Sequence, residues 1–309
     1  MSPPPLARRL QLLTGKGGVG KTTLAAALAL AWGERGRRPL IVELGHRSSV
    51  APLFPPVREV RHEPTLLDAG VHACNVDVDR ALAELVGRRL RVRRWAERAL
   101  RTDVMQAFLG AAPAVAEVAI LERLTALLDA REGWDPILVD CDATGHARMM
   151  LALPQVFAGL GAGGPLRAVL DRTTSVLADA AQTAVHVVTL PHALPLQEAE
   201  ELWGELARER GAVLGELVVN RGPNADTAAP SSEVARGLAT RAEAVGEGGA
   251  ASDLRLLSDR LERDVRALAQ VARVERAIGR AARVLPPLAD ALDLDGLRSL
   301  GRALIRGVA

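Results

Sequence analysis

The 309 residues suffice for one large domain or two ordinary ones, and an apolar content of 49% supports a sizeable core that only 2% aromatics leaves mostly to Leu, Val and Ala. A net charge of +2 singles out neither nucleic acid nor membrane as a partner. Two cysteines give no disulfide framework and no zinc pattern, and no apolar run approaches a membrane span, so a cytoplasmic protein is expected.

Leu10-Gln11-Leu12-Leu13 reads as a short buried strand, and Leu24 to Trp32 (LAAALALAW) as a helix. Between them Gly15 to Thr23 reads GKGGVGKTT, which fits the phosphate-loop template G-x-x-x-x-G-K-[ST] with Gly15, Gly20, Lys21 and Thr22 in register. A loop from a strand end into a helix start aims backbone N–H groups and the positive helix terminus at one point, where phosphate oxygens fit. The expected nucleotide-binding set is Gly15, Gly17, Gly18, Val19, Gly20, Lys21, Thr22 and Thr23. Lys21 is expected to reach the β- and γ-phosphates, and the Thr22 hydroxyl to ligate Mg²⁺. Lysine occurs only at Lys16 and Lys21 among 39 basic residues. A chain that uses arginine everywhere else keeps both its compact ammonium groups for this loop, so both are expected to touch nucleotide.

Leu40-Ile41-Val42 reads as a second buried strand ending at Glu43. Ligands in open parallel sheets bind at strand C-termini, so Glu43 and the following residues to Ser49 are expected to face the phosphate loop. An acid there can orient the attacking water or bind Mg²⁺ indirectly. From Asp77 to Arg131 the pattern becomes helical and suggests an inserted helical subdomain, residues 77–131. Within it Val92, Trp95, Ala96 and Ala99 share one helix face and Arg91, Arg94, Arg98 and Arg101 the other, either a solvated face or a basic stripe for nucleic acid, acidic lipid or an acidic partner. A further helix runs from Val115 through Leu127-Leu128.

Pro136-Ile137-Leu138-Val139 is a third strand ending at Asp140, where a carboxylate can hold Mg²⁺ through water. Phe157 to Pro165 carries four glycines and reads as a loop. Ala184 to Leu190 and Leu214 to Val219 are the fourth and fifth strands; Pro191, Pro195 and Glu198 stand ahead of an amphipathic helix. The fifth strand ends in Asn220, whose amide can bond the N6 and N7 edge of adenine or simply form a turn. Gly222 to Ser232 and Gly246 to Ser252 read as loops around a short helix, Leu254 to Arg280 as a long helix, and Ala281 to Leu285 as the last strand. A C-terminal helix sets Leu297, Leu300, Leu304, Ile305 and Val308 against Arg298, Arg302 and Arg306; it docks on the body or serves as a membrane-binding tail.

Lys16, second in the loop, resembles the deviant phosphate loop of the MinD, ParA, nitrogenase-iron-protein and arsenite-pump ATPases. In those relatives that lysine crosses a dimer interface, so the resemblance implies a homodimer that sandwiches nucleotide and gives Lys16 a catalytic role. Asp140 to Pro154, DCDATGHARMMLALP, is similar to the second switch D-T-A-P-T-G-H-x-x-R-x-x-x-L-P of the arsenite-pump and tail-anchored-protein-targeting ATPases, matching at Asp140, Thr144, Gly145, His146, Leu153 and Pro154. Cys141, Asp142 and Ala143 replace T-A-P, and Met149 stands where the arginine would be. The resemblance makes His146 part of the nucleotide switch and sets Glu43-Leu44-Gly45-His46-Arg47-Ser48-Ser49-Val50 against the first switch D-P-A-H-N-L-S-D, with Glu43 in place of the water-orienting Asp. Pro286 and Pro287 match the adenine-side loop.

The expectation is therefore an α/β, doubly wound, mainly parallel sheet in one domain spanning 1–309, binding ATP and Mg²⁺ as a dimeric ATPase switch that couples closure to a protein client. Arsenite is not expected as a partner, because Cys74 and Cys141 do not make a three-sulfur site. Tail-anchored clients use methionine-rich grooves, and the insertion has only Met105. The alternative is a spatial organiser of the MinD/ParA kind that binds membrane or DNA as its ATP-bound dimer.

Overall fold

A computed structural model describes residues 2–44, 47–68, 70–90, 113–141, 147–152, 164–209, 212–223, 225–288 and 292–308. Eight strands form one sheet: β1 (Leu10–Thr14), β2 (Leu40–Glu43), β3 (Thr65–Asp68), β4 (Val71–Asn75), β5 (Ile137–Asp140), β6 (Thr183–Thr189), β7 (Leu214–Val219) and β8 (Ala282–Val284). Their order is β3-β4-β2-β5-β1-β6-β7-β8, and every pairing but the antiparallel β3–β4 is parallel. The sheet is doubly wound from the central β1, which has β5 on one side and β6 on the other, as the strand–helix alternation of the sequence implies. Register sets the C-terminal ends side by side: Leu13 lies opposite Asp140, and Asp140 opposite Glu43.

Among the described residues the helices are α1 (Lys21–Glu34), α2 (Val78–Leu90), α3 (Pro113–Leu128), α4 (Gly164–Ala178), α5 (Ala193–Arg208), α6 (Ala225–Ala244), α7 (Gly248–Ile278) and α8 (Leu294–Leu304). Alternation along each strand splits the core in two. Leu10, Leu12, Val42 and Val139 point to one face, where α2, α3, α5 and the end of α7 pack. Leu13, Ile41, Leu138 and Val188 point to the other, covered by α1 and α8.

Helix α1 is apolar all round because it is covered on both sides, by the sheet and by α8. Leu297, Leu300 and Leu304 of α8 are buried, each contributing on the order of 1.5–3 kcal/mol by leaving water. The helices cross closely at Gly301: a Cβ there would stand 2.1 Å from the Ala27 carbonyl oxygen. Arg302 pairs with Glu34 of α1, and Arg298 with Asp68 of β3. The C-terminal helix thus docks on the body.

Several sequence expectations change. The segment from 51 to 76 carries no expected element, yet it holds β3 and β4, an edge hairpin whose short strands give little pattern. Gly222 to Ser232 and Gly246 to Ser252 are mostly helical rather than loops: α6 and α7 form an antiparallel hairpin of 20 and 31 residues joined near Gly246. Among its described side chains the seam buries Ser232, Ala235, Ala239, Ala251 and Ser258, small residues that make a narrow stripe, while Val271 and Val274 of α7 join the core against the sheet. Pro195 and Glu198 lie inside α5 rather than ahead of it, Pro195 being tolerated in the first turn, where no intrahelical N–H bond is lost. The flanks of the expected insertion, α2 and α3, pack on each other and on the sheet through Leu82, Val118 and Leu121. The Arg91, Arg94, Arg98 and Arg101 stripe, Val92, Trp95, Ala96, Ala99, Met105, the first-switch residues Gly45 and His46, the second-switch residues 142–146 with His146 and 153–154, and the loop residues 157–163 lie outside the described residues, whereas Gly164 and Pro165, expected in that loop, begin α4. Among the described residues no helix is long and apolar enough to cross a membrane.

Candidate nucleotide site at the end of the central strands

The Gly15–Thr23 loop leaves β1 at the centre of the sheet and enters α1 at Lys21. Two glycines shape it. Gly15 has φ +147°, and a Cβ there would stand 2.2 Å from the Val188 carbonyl, so the loop lies directly against β6. Gly20, the N-cap of α1, has φ +97°, and its Cβ would stand 2.4 Å from Asn220 Nδ2. On the outer side Gly17 and Gly18 have no heavy atom within 4 Å of a built Cβ, which leaves open space over the first-turn amides of α1.

The two lysines of the loop have opposite surroundings. Lys21 is buried, and its ammonium donates to the carbonyls of Gly15 (3.0 Å) and Lys16 (3.1 Å), crossing the loop from inside. Lys16 is exposed, and its Nζ meets Glu198 Oε1 of α5 at 2.7 Å. Glu198 and Glu205 face a cavity of about 310 Å³ beside Gly15, together with Thr189 and Arg148. Arg148, which also lines it, pairs with Glu205 at 3.0 Å.

Thr22 and Asp140, the two residues expected to hold Mg²⁺, meet directly: Thr22 Oγ1 donates to Asp140 Oδ2 over 2.5 Å. Glu43 is buried one strand away, and it is fastened to the loop after its own strand. Its Oε2 accepts from Ser48 Oγ (2.6 Å), and its Oε1 from the amides of Ser49 (2.6 Å) and Val50 (2.9 Å). Burial pushes the Glu43 carboxyl upward; the three donors pull against it, Asp140 pushes with burial, and the balance is upward.

Asn220 is buried and bridges the site: its Nδ2 donates to the Val19 carbonyl (2.9 Å) and its Oδ1 accepts from the Arg221 amide (3.0 Å). That leaves one amide proton and one lone-pair position for a base edge. Leu285 bonds Val219 and Gly222 through its backbone, which brings the exposed Pro286 and Pro287 beside this corner. Sequence reading places these groups together; it misses Glu198 as the partner of Lys16 and Ser48 as the partner of Glu43, since neither pairing follows a spacing rule.

Both cysteines are buried and free, Cys74 at the sheet edge side of Glu43 and Cys141 just after Asp140. Burial pushes the Cys74 thiol up to about 12 and raises Cys141 as well, so both stay protonated at neutral pH. His62, Glu63 and Glu84 approach one another at metal-ligand distances. Arg123 already supplies the cation there, at 3.0 Å from Glu63 and 3.3 Å from Glu84. His62 Nδ1 accepts from the Asp77 amide, which puts the ring proton on Nε2, toward Glu84. The cluster is an ion-pair network around the buried Arg123, with Glu63 at its exposed rim.

The phosphate-loop residues fit a nucleotide with its cation: an open glycine cradle, a helix N-terminus, a buried lysine at the loop's back, and a hydroxyl paired with a carboxylate. A family model described as Anion-transporting ATPase matches residues 8–160. The chain is 29% identical to the ATPase BagA of Mycobacterium tuberculosis and to the putative ATPase Mb3704 of Mycobacterium bovis, each over 96% of this chain and 92% of the relative. It is 28% identical to a putative arsenical pump-driving ATPase of Halobacterium salinarum over 69% of this chain, a match that spans 35% of that longer protein.

Proposed function

The chain belongs to the anion-transporting, ArsA-like ATPase family and is an ATPase, and from that premise we propose that it works as a dimeric, Mg²⁺-dependent switch. In this reading ATP closes the dimer, hydrolysis opens it, and the helical region between β4 and β5 passes the change to a protein client. The observation that carries the proposal is the placing of Lys16: it is the exposed lysine of a loop whose own phosphate charge is already provided by the buried Lys21.

Lys21 and the loop amides would hold the phosphates, Thr22 directly and Asp140 through water would hold the cation, and Glu43 would orient the attacking water. Asn220, with Pro286 and Pro287 beside it, would take the adenine, and His146 would report the state of the phosphates. The bound Mg·ATP supplies the phosphoanhydride to be cleaved and the positive charge that screens its oxygens. Two buried, protonated thiols weigh against arsenite as a ligand. The spatial-organiser alternative loses one support, because the apolar face of α8 is covered by α1 rather than free for a membrane.

Sedimentation velocity of the full chain with and without Mg·ATP tests the proposal. ATP is expected to shift the population to a dimer, or to compact an existing one. If ATP leaves assembly and shape unchanged while being hydrolysed, the chain is a monomeric ATPase and the switch reading fails.

A further inference from the structure

A carboxylate works as a water-orienting group only if its own rotamer is held, because a mis-set angle moves the lone pair away from the reacting atom. Glu43 is held by three donors in the turn after β2. Two are backbone amides, and substitution does not remove them. The third is the Ser48 hydroxyl, which also accepts from the Ala51 amide at 3.1 Å and so ties Glu43 to the short 3₁₀ turn Ala51–Leu53. Glu43 Oε1 is saturated by Ser49 and Val50, and Ser48 fills one lone-pair position of Oε2. One acceptor position on Oε2 is left, on a buried side chain whose Cα pairs with that of Asp140 across β2 and β5. The same Asp140 touches Thr22. The hydroxyl is therefore the one donor that a substitution can remove from the set aiming the remaining lone pair of Glu43 relative to the phosphate site. In the first-switch pattern set beside this segment, Leu stands at the place of Ser48 and the shorter Asp at that of Glu43, so the longer acid and the hydroxyl that receives it occur together here.

We propose that Ser48 is a positioning residue for ATP hydrolysis, fixing the Glu43 carboxylate so that its free lone pair meets the attacking water. The inference rests on the reading of Glu43 as the water-orienting group, and the test separates the two. Steady-state turnover of Mg·ATP is measured on the full chain carrying Ser48→Ala, Ser48→Thr or Glu43→Gln. Ser48→Ala is expected to lower kcat roughly ten- to a hundredfold, the worth of one hydrogen bond to a charged group, with KM within about twofold of the parent. Ser48→Thr keeps the hydroxyl on a half-exposed residue and is expected to recover most of the loss. Glu43→Gln is expected to abolish most turnover. If Glu43→Gln is inactive but Ser48→Ala keeps the parental kcat, the role of Ser48 is refuted and that of Glu43 stands. Parental turnover by Glu43→Gln overturns both. A higher kcat in Ser48→Ala, a change confined to KM, or a Ser48→Thr variant as impaired as the alanine would each overturn the positioning role.

Discussion

Thr22 Oγ1 and Asp140 Oδ2 stand 2.5 Å apart, joining the start of α1 to the end of β5 across residues 118 positions distant in the chain. A cation entering between phosphate and protein would take the hydroxyl directly and leave the carboxylate behind a water shell. Asp140→Asn keeps the shape and removes the charge. It is expected to leave ATP binding without Mg²⁺ intact and to cut the Mg²⁺-dependent gain in affinity by roughly 10–100-fold, as losses in a metal's outer shell do. Calorimetric titration of ATP with and without Mg²⁺ measures both arms.

Asn220 is tied to the loop by its bond to the Val19 carbonyl, and it keeps one donor and one acceptor for a ligand. Asn220→Ala leaves that buried carbonyl unpaired, which is expected to cost about 1–3 kcal/mol of stability in a urea titration. If the amide also reads adenine, ATP affinity falls more than GTP affinity. Equal losses for both nucleotides would reduce Asn220 to a structural tie.

The loop and the strand ends were legible because each lies in a contiguous motif: GKGGVGKTT follows an apolar run, and Glu43, Asp140 and Asn220 each end one. Parallel register then brings these ends together without further information. What stayed hidden depends on contacts between distant residues. Nothing near Lys16 points to Glu198, 182 positions away, and the short-helix and long-helix patterns do not reveal that α6 begins at Ala225 and α7 at Gly248, where the described seam buries small residues such as Ala235, Ala239 and Ala251. The all-round apolar character of α1 was readable as a helix but not as one covered by α8, because that needs the placing of Gly301 against Ala27.

Burial of His186 on β6 makes stability fall with acid. Burial lowers its pKa to about 3, with Arg8, Arg280 and Arg283 acting in the same direction, while its Nδ1 accepts from the Glu216 amide. The folded state holds it neutral, whereas the unfolded chain protonates it near pH 6.5. Its contribution is therefore complete above pH 6.5 and is lost as pH falls from there toward 3, amounting to about 2 kcal/mol by pH 5. His186→Asn can keep an acceptor for Glu216 and cannot titrate. Urea midpoints between pH 7 and 5 should fall less steeply for the variant; identical slopes would refute the assignment.

The final prediction concerns Lys16, on which the switch reading depends. Its pair with Glu198 joins an ammonium that is 61% exposed to a carboxylate that is 30% exposed. Such a pair contributes on the order of 0–1 kcal/mol, so losing it changes stability little. Lys21 already lies at the back of the loop, so one protomer can bind phosphate without Lys16. If Lys16 leaves Glu198 and crosses to the partner's nucleotide, its charge acts only in the closed dimer, like a finger supplied in trans, worth roughly 10³-fold or more in turnover. Lys16→Ala is then expected to keep ATP affinity and melting temperature close to the parent, to lose turnover on that scale, and to stop ATP from closing the dimer. Lys16→Arg should recover little, because a planar fork does not fit where a compact ammonium does. Glu198→Gln frees the lysine without removing it and should shift dimer closure to lower ATP concentration. Sedimentation velocity and steady-state turnover on the three variants decide the matter: parental turnover by Lys16→Ala would leave the lysine a surface residue held by Glu198.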